Sequence, residues 1–228
     1  CGFHFPLDRP TEEKIIREQQ SLSPLYHNCS GKHAGMLLTT AYQKWDFKTY
    51  LNYEHPLQAL IRQYVSDIVD IPENDLLYGM DACSAPTYAF PLHKLAFAYA
   101  LLAKPDRLKS PYAKTLKKLQ GILRHHPWSL AGSGRLDTEI MEICPHLIAK
   151  SGAEGVLALS VLDQGLGIAI KVADGQKRAL PIIVLEVLRQ LKILPEDRLK
   201  EMPSLFSPEI LNHRQQVVGK IVPAFLLP

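Results

Sequence analysis

Hydrophobic and polar positions change their period along the chain, and that change divides it. Leu57, Leu60, Ile61, Tyr64, Val65, Ile68 and Val69 recur at spacings of three and one. That is the apolar stripe of an amphipathic helix, which Pro72 ends. Upstream, residues 1–26 read as an extended start and a short polar helix, punctuated by Pro6, Pro10 and Pro24. Asn28 or Ser30 is placed to cap a helix running to about Trp45. The stretch from Tyr78 to Pro86 reads as a loop of small residues. Helices are predicted from about Pro91 to Ala103 and from Ala113 to Arg124. Trp128 to Arg135 contains three consecutive glycine or serine positions and reads as a loop, and Asp137 is placed to cap a short helix through Ile143.

Beyond residue 150 the period shortens. Val156 to Leu162 and Leu166 to Val172 are rich in Val, Ile and Leu, with Asp163-Gln164-Gly165 between them. This predicts a β-hairpin. Ala173-Asp174-Gly175 makes the next turn, and Arg178 to Leu194 is predicted as a helix with Pro181 in its first turn. The expected class is α+β, helices with an antiparallel sheet, in a single domain over residues 1–228.

Composition narrows the function classes. The 228 residues are 46% hydrophobic and 21% charged, ordinary for a globular protein with a sizeable core. The formal charge is only +3 and basic residues are scattered, which argues against nucleic acid as a partner. No apolar run approaches the roughly 20 residues of a membrane span, so no membrane partner is expected. Cys1, Cys29, Cys83 and Cys144 are too widely spaced for a disulfide scaffold. Free or metal-bound thiols in a reducing cytoplasm fit them best. A chain opening on Cys1 rather than Met reads as a fragment or a processed product.

The chemistry concentrates in His27-Asn28-Cys29-Ser30-Gly31-Lys32-His33-Ala34-Gly35-Met36 and in Gly79-Met80-Asp81-Ala82-Cys83-Ser84-Ala85-Pro86. Side chains three apart share a helix face, so Cys29 and Lys32 are neighbours. Lys32 either lowers the Cys29 pKa and makes a reactive thiolate, or joins Cys29 and Cys83 around zinc. A lysine amine is an unusual ligand, because the metal must displace its proton. His33 and Asp81 are alternatives for the third ligand or for an outer layer around the metal. Both thiols also fit a buried packing role. In Ala131-Gly132-Ser133-Gly134-Arg135-Leu136-Asp137-Thr138, Arg135 either grips a carboxylate in a forked geometry or makes a surface ion pair. Asp137 either holds a substrate amine or caps the helix. Lys150, in Lys150-Ser151-Gly152, is either a desolvated base or a solvated turn lysine.

Taken together, these segments resemble the asparaginase II family, the Rhizobium etli type of L-asparaginase. Gly165-Leu166-Gly167-Ile168-Ala169, Asp174-Gly175 and Asn212-His213-Arg214 continue the resemblance over nearly the whole chain. It implies a fold similar to serine β-lactamases and glutaminases, usually a homodimer. It also implies hydrolysis of the L-asparagine side-chain amide to L-aspartate and ammonia. It makes Cys29, Lys32 and Cys83 zinc ligands, with Asp81 beside the metal and His33 near the substrate. Lys150 becomes the lysine that activates a catalytic serine, while Arg135 and Asp137 lie in the substrate region.

One departure is sharp. The family carries its nucleophile in a Ser-x-x-Lys segment and a second serine in a Ser-His-x-Gly-Glu segment, both ahead of the Cys-Ser-Gly-Lys motif. Neither occurs here, and no serine is followed three residues later by lysine. The expectation is therefore an N-terminally truncated, inactive piece of an asparaginase. The alternatives are a non-catalytic zinc- or small-molecule-binding remnant, and an amidase that uses Cys29 as nucleophile.

Overall fold

The computed structural model describes residues 1–108, 111–199 and 202–227. The chain forms two compact units, Cys1–Lys94 and Leu95–Pro228. Its class is α+β, and among the described residues every strand pair is antiparallel. Among the described residues no helix is long and apolar enough to cross a membrane.

In the first unit, helix α1 (Arg9–Arg17) starts where Asp8 accepts the Thr11 N–H at 3.2 Å and Pro10 fills the first turn. Helix α2 (Ser30–Gln43) has Cys29 at its N-cap, with no side-chain cap, and stops at Lys44 in a left-handed conformation. Helix α3 (Pro56–Val69) is the amphipathic helix that the apolar stripe predicts. His55 Nδ1 accepts the Leu57 N–H at 3.1 Å, Pro56 opens the helix, and left-handed Asp70 ends it before Pro72. A small core gathers Met36, Leu57 and Ala85 with Trp45, Tyr50, Leu51 and Ile61.

The segment expected as a loop from Tyr78 to Pro86 is instead largely a hairpin. Strand β1 (Leu77–Met80) pairs with β2 (Pro86–Ala89), Gly79 facing Thr87. The Asp81 carboxylate organises its turn by accepting N–H groups from Cys83 at 2.8 Å and Ala85 at 2.9 Å.

The second unit contains most of helix α4 (Leu92–Ala103), then α5 (Tyr112–His125), α6 (Pro127–Ala131) and α7 (Leu136–Ile143). Helix α6 replaces the first part of the loop expected over Trp128–Arg135. Strands β3 (Leu147–Ser151), β4 (Val156–Val161) and β5 (Leu166–Lys171) form one sheet in that order. The β4–β5 hairpin is the one predicted. Helix α8 (Leu180–Gln190) follows, with Pro181 in its first turn.

Leu147, Leu157, Leu159, Val161, Val184, Leu185 and Leu188 have no measurable exposure and make the centre of the larger core. By area, burying a Leu or Val side chain fully contributes about 1.5–3 kcal/mol. Gly167 lets strand β5 touch helix α4, since a Cβ there would lie 1.8 Å from the Ala96 carbonyl oxygen. The chain closes with short helices α9 (Glu196–Leu199) and α10 (Pro203–Phe206) and the hairpin β6 (Glu209–Leu211)–β7 (Val217–Lys220).

Candidate functional site

Two groups of candidate residues assemble, one in each unit. In the first unit, a 3₁₀ turn over Pro24–Tyr26 delivers His27 and Cys29 to the start of α2. The β1–β2 turn delivers Cys83. The ligating atoms of His27, Cys29 and Cys83 all lie within 4.8 Å of one another. Cys83 Sγ is 4.0 Å from His27 Nε2. Both thiols are free; Cys83 is buried and Cys29 half-buried. Burial pushes the Cys83 thiol up, and the neighbouring Cys29 adds to this.

Lys32 faces the same hairpin turn. Its amine donates to the Asp81 carboxylate, forming an ion pair. Burial works against the ionised Asp81. The bond from Lys32 and the N–H groups of Ala85 and Cys83 outweigh it and hold the carboxyl below its ordinary range. His33 is buried, with Nδ1 2.7 Å from the Tyr50 hydroxyl. Its Nε2 is buried without a hydrogen-bond partner among the described residues. Burial is the main reason its imidazole stays below the ordinary value.

The structure thus brings Cys29 and Cys83 together and sets Lys32 with Asp81 at the same turn. His27, which opens the same sequence motif, was not singled out by spacing. Two cysteine sulfurs with nitrogen donors close by suit zinc, for which thiolate and imidazole are ordinary ligands.

In the second unit, Arg135 is the N-cap residue of α7 and has no side-chain capping bond. Asp137 lies in the first helical turn rather than at the cap. It is 1% exposed, and both of its oxygens are engaged by β3. Oδ1 accepts the Ser151 N–H, and Oδ2 accepts the Ser151 hydroxyl at 2.8 Å. Lys150 is half-buried beside them, and its amine donates to the Ser151 carbonyl at 2.7 Å. Burial, then the charge of Asp137, push the Tyr99 phenol up to about 12.

A pocket of about 250 Å³ opens here, lined by Arg135, Asp137, Glu139, Ser151, Lys177 and Leu180 among others. Arg135, Glu139 and Lys177 have no ion-pair partner among the described residues. Their charges are therefore available to a ligand. Glu139 and Lys177 were missed by sequence reading. Lys177, in the turn just before α8, lines the same pocket as Arg135 although it lies 42 residues further along the chain.

Searching curated proteins with the chain finds no match. The family model described as L-asparaginase II matches residues 1–223. That match supports an L-asparaginase-type function, an amidohydrolase acting on a small molecule. With the motif residues assembled as described and the match covering nearly its whole length, the chain belongs to the L-asparaginase II family.

Proposed function

We propose that residues 1–228 carry the substrate pocket, the general-base lysine and the metal ligands of an L-asparaginase, which hydrolyses the side-chain amide of L-asparagine to L-aspartate and ammonia through a Ser-Lys acyl transfer. The observation that carries this reading is the family match over residues 1–223. The second-unit pocket supports it. About 250 Å³ accommodates a four-carbon amino acid, and the lining offers both signs of charge. Arg135, helped by Lys177, takes the carboxylate in a forked geometry. Glu139 takes the ammonium group. Asp137 acts through Ser151, whose N–H and hydroxyl its two oxygens accept.

Lys150 accepts the proton of the attacking serine hydroxyl as oxygen bonds to the amide carbon. The proton then passes to the departing nitrogen, which leaves as ammonia. Water releases aspartate from the acyl-enzyme. Cys29, Cys83 and Lys32 would hold zinc in the first unit, the proton that Lys32 must lose passing to solvent, with Asp81 beside the Lys32 amine. Bound there, zinc supplies positive charge able to orient or polarise a carbonyl group. His33, beside Lys32, completes the polar surroundings of that site.

No serine among residues 1–228 stands three before a lysine, so within them Lys150 has no Ser-x-x-Lys partner. Residues 1–228 alone should therefore bind zinc and L-aspartate but release no ammonia from L-asparagine. A protein that also carries the Ser-x-x-Lys and Ser-His-x-Gly-Glu segments ahead of them should release ammonia, and Lys150→Met should abolish it. Ammonia release by residues 1–228 alone would overturn the Ser-Lys chemistry. Zinc uptake without ammonia release by the longer protein would favour a non-catalytic metal-binding role.

A further inference from the structure

His27 sits within reach of both thiols, but its hydrogen bonding leaves no lone pair on the nitrogen that faces Cys83. His27 Nδ1 accepts the backbone N–H of Cys29 at 3.0 Å. A ring nitrogen that accepts an N–H carries no proton of its own, so the ring's proton is on Nε2. Nε2 is the nitrogen that faces Cys83 Sγ at 4.0 Å. To bind a metal through Nε2, the ring would need its lone pair there and its proton on Nδ1. Two N–H groups would then point at each other across 3.0 Å. The ring of His4 packs edge-on against His27, with centroids 5.5 Å apart.

We propose that His27 is a positioning residue whose Nε2–H donates to the sulfur of Cys83, while the metal is held by Cys29, Cys83 and Lys32 without it. This rests on the zinc reading for the metal, though not for the tautomer. The α2 start and the β1–β2 turn bring two sulfurs to one place. Once both are thiolates, a donor aimed at Cys83 draws charge from its sulfur and fixes the side chain's direction. Removing such an outer partner typically costs about 10–100-fold in metal affinity.

The test uses the 228-residue protein with ¹⁵N-labelled histidine. Long-range ¹H–¹⁵N spectra report the His27 tautomer, zinc-free and with Zn²⁺ added. Chelator competition gives zinc affinity for wild type, His27→Ala and His27→Gln, and X-ray absorption counts sulfur around the metal. The Nε2–H tautomer should persist in both states. His27→Ala should weaken zinc about 10–100-fold with two sulfurs retained, and His27→Gln, whose amide can donate, should recover most of the loss. A metal-bound Nε2 signal would overturn the proposal. So would a His27→Gln protein as deficient as His27→Ala with a nitrogen lost from the metal. If no zinc binds, the zinc reading fails, and the zinc-free spectrum still decides: an Nδ1–H tautomer refutes the proposal, and an Nε2–H tautomer supports it.

Discussion

Asp137→Ala distinguishes a substrate ligand from a strand anchor. Asp137 is 1% exposed and accepts both the Ser151 N–H and the Ser151 hydroxyl. A hydrogen bond to a charged group contributes about 1.5–3 kcal/mol net. Two of them contribute roughly 3–6 kcal/mol, and because Ser151 is only half-buried, water can partly replace the carboxylate at its hydroxyl. We therefore expect a loss near the lower end, about 3–4 kcal/mol, from Asp137→Ala. Asp137→Asn keeps one good acceptor and should lose about half as much. For a unit of this size, 3–4 kcal/mol lowers Tm by roughly 10 °C. Urea unfolding followed by circular dichroism reads the loss, and L-aspartate titration reads the pocket. The anchor role predicts a large stability loss for Ala, an intermediate one for Asn, and weaker binding only as the end of β3 loosens. An Asp137→Ala protein as stable as wild type that no longer binds L-aspartate would refute this reasoning and return Asp137 to the substrate.

Other tests follow from single observations. Gly167→Ala should cost about 3 kcal/mol of stability in urea, because its Cβ would meet Ala96 O at 1.8 Å and Ala100 N at 2.5 Å, both backbone atoms. Gly121→Ala, inside α5 with nothing within 4 Å of the new Cβ, should instead gain about 0.5–1 kcal/mol. The bond from Arg189 holds the Glu186 carboxyl below its ordinary 4.5, against burial. Its stabilisation should be complete above about pH 4.5 and fade as pH falls through the lower folded value, so acid unfolding of Glu186→Gln should lack that part of the pH dependence. Zinc should protect Cys29 and Cys83, but not Cys1, from alkylation, and a chelator should remove the protection; equal labelling with and without zinc would count against the thiol site.

Elements with a clear period were legible in the sequence. The stripe from Leu57 to Val69 gave α3 almost to the residue, because that helix has one buried face. The β4–β5 hairpin was legible because two apolar runs flank Asp163-Gln164-Gly165. The β1–β2 hairpin was not. Leu77, Tyr78, Gly79 and Met80 are all exposed, so no alternation between a buried and a wet face appears. A carboxylate, rather than an Asn-Gly-type pair, organises its turn. Helix α6 is only five residues long, too short to show a period, and the Gly132-Ser133-Gly134 run that follows it masked its end.

The sites show a different limit. Cys29, Cys83, Arg135 and Lys150 stood out by residue type and local spacing, and resemblance added their roles. What spacing could not reveal were the partners that aim them, because those lie far along the chain. Lys32 meets Asp81 49 residues away, and Asp137 meets Ser151 14 residues away. Both aspartates read as possible contacts to metal or substrate. In the fold, each first accepts N–H groups of its own backbone surroundings. Asp81 binds those of Cys83 and Ala85, and Asp137 binds that of Ser151. A carboxylate whose lone pairs point into the protein fixes geometry around a site more than it binds what enters. Asp81 thereby sets where Cys83 and the Lys32 amine stand, and Asp137 sets the end of the strand that carries Lys150. The motif residues offer candidate ligands and a candidate base, and two aspartates distant in sequence fix where they stand.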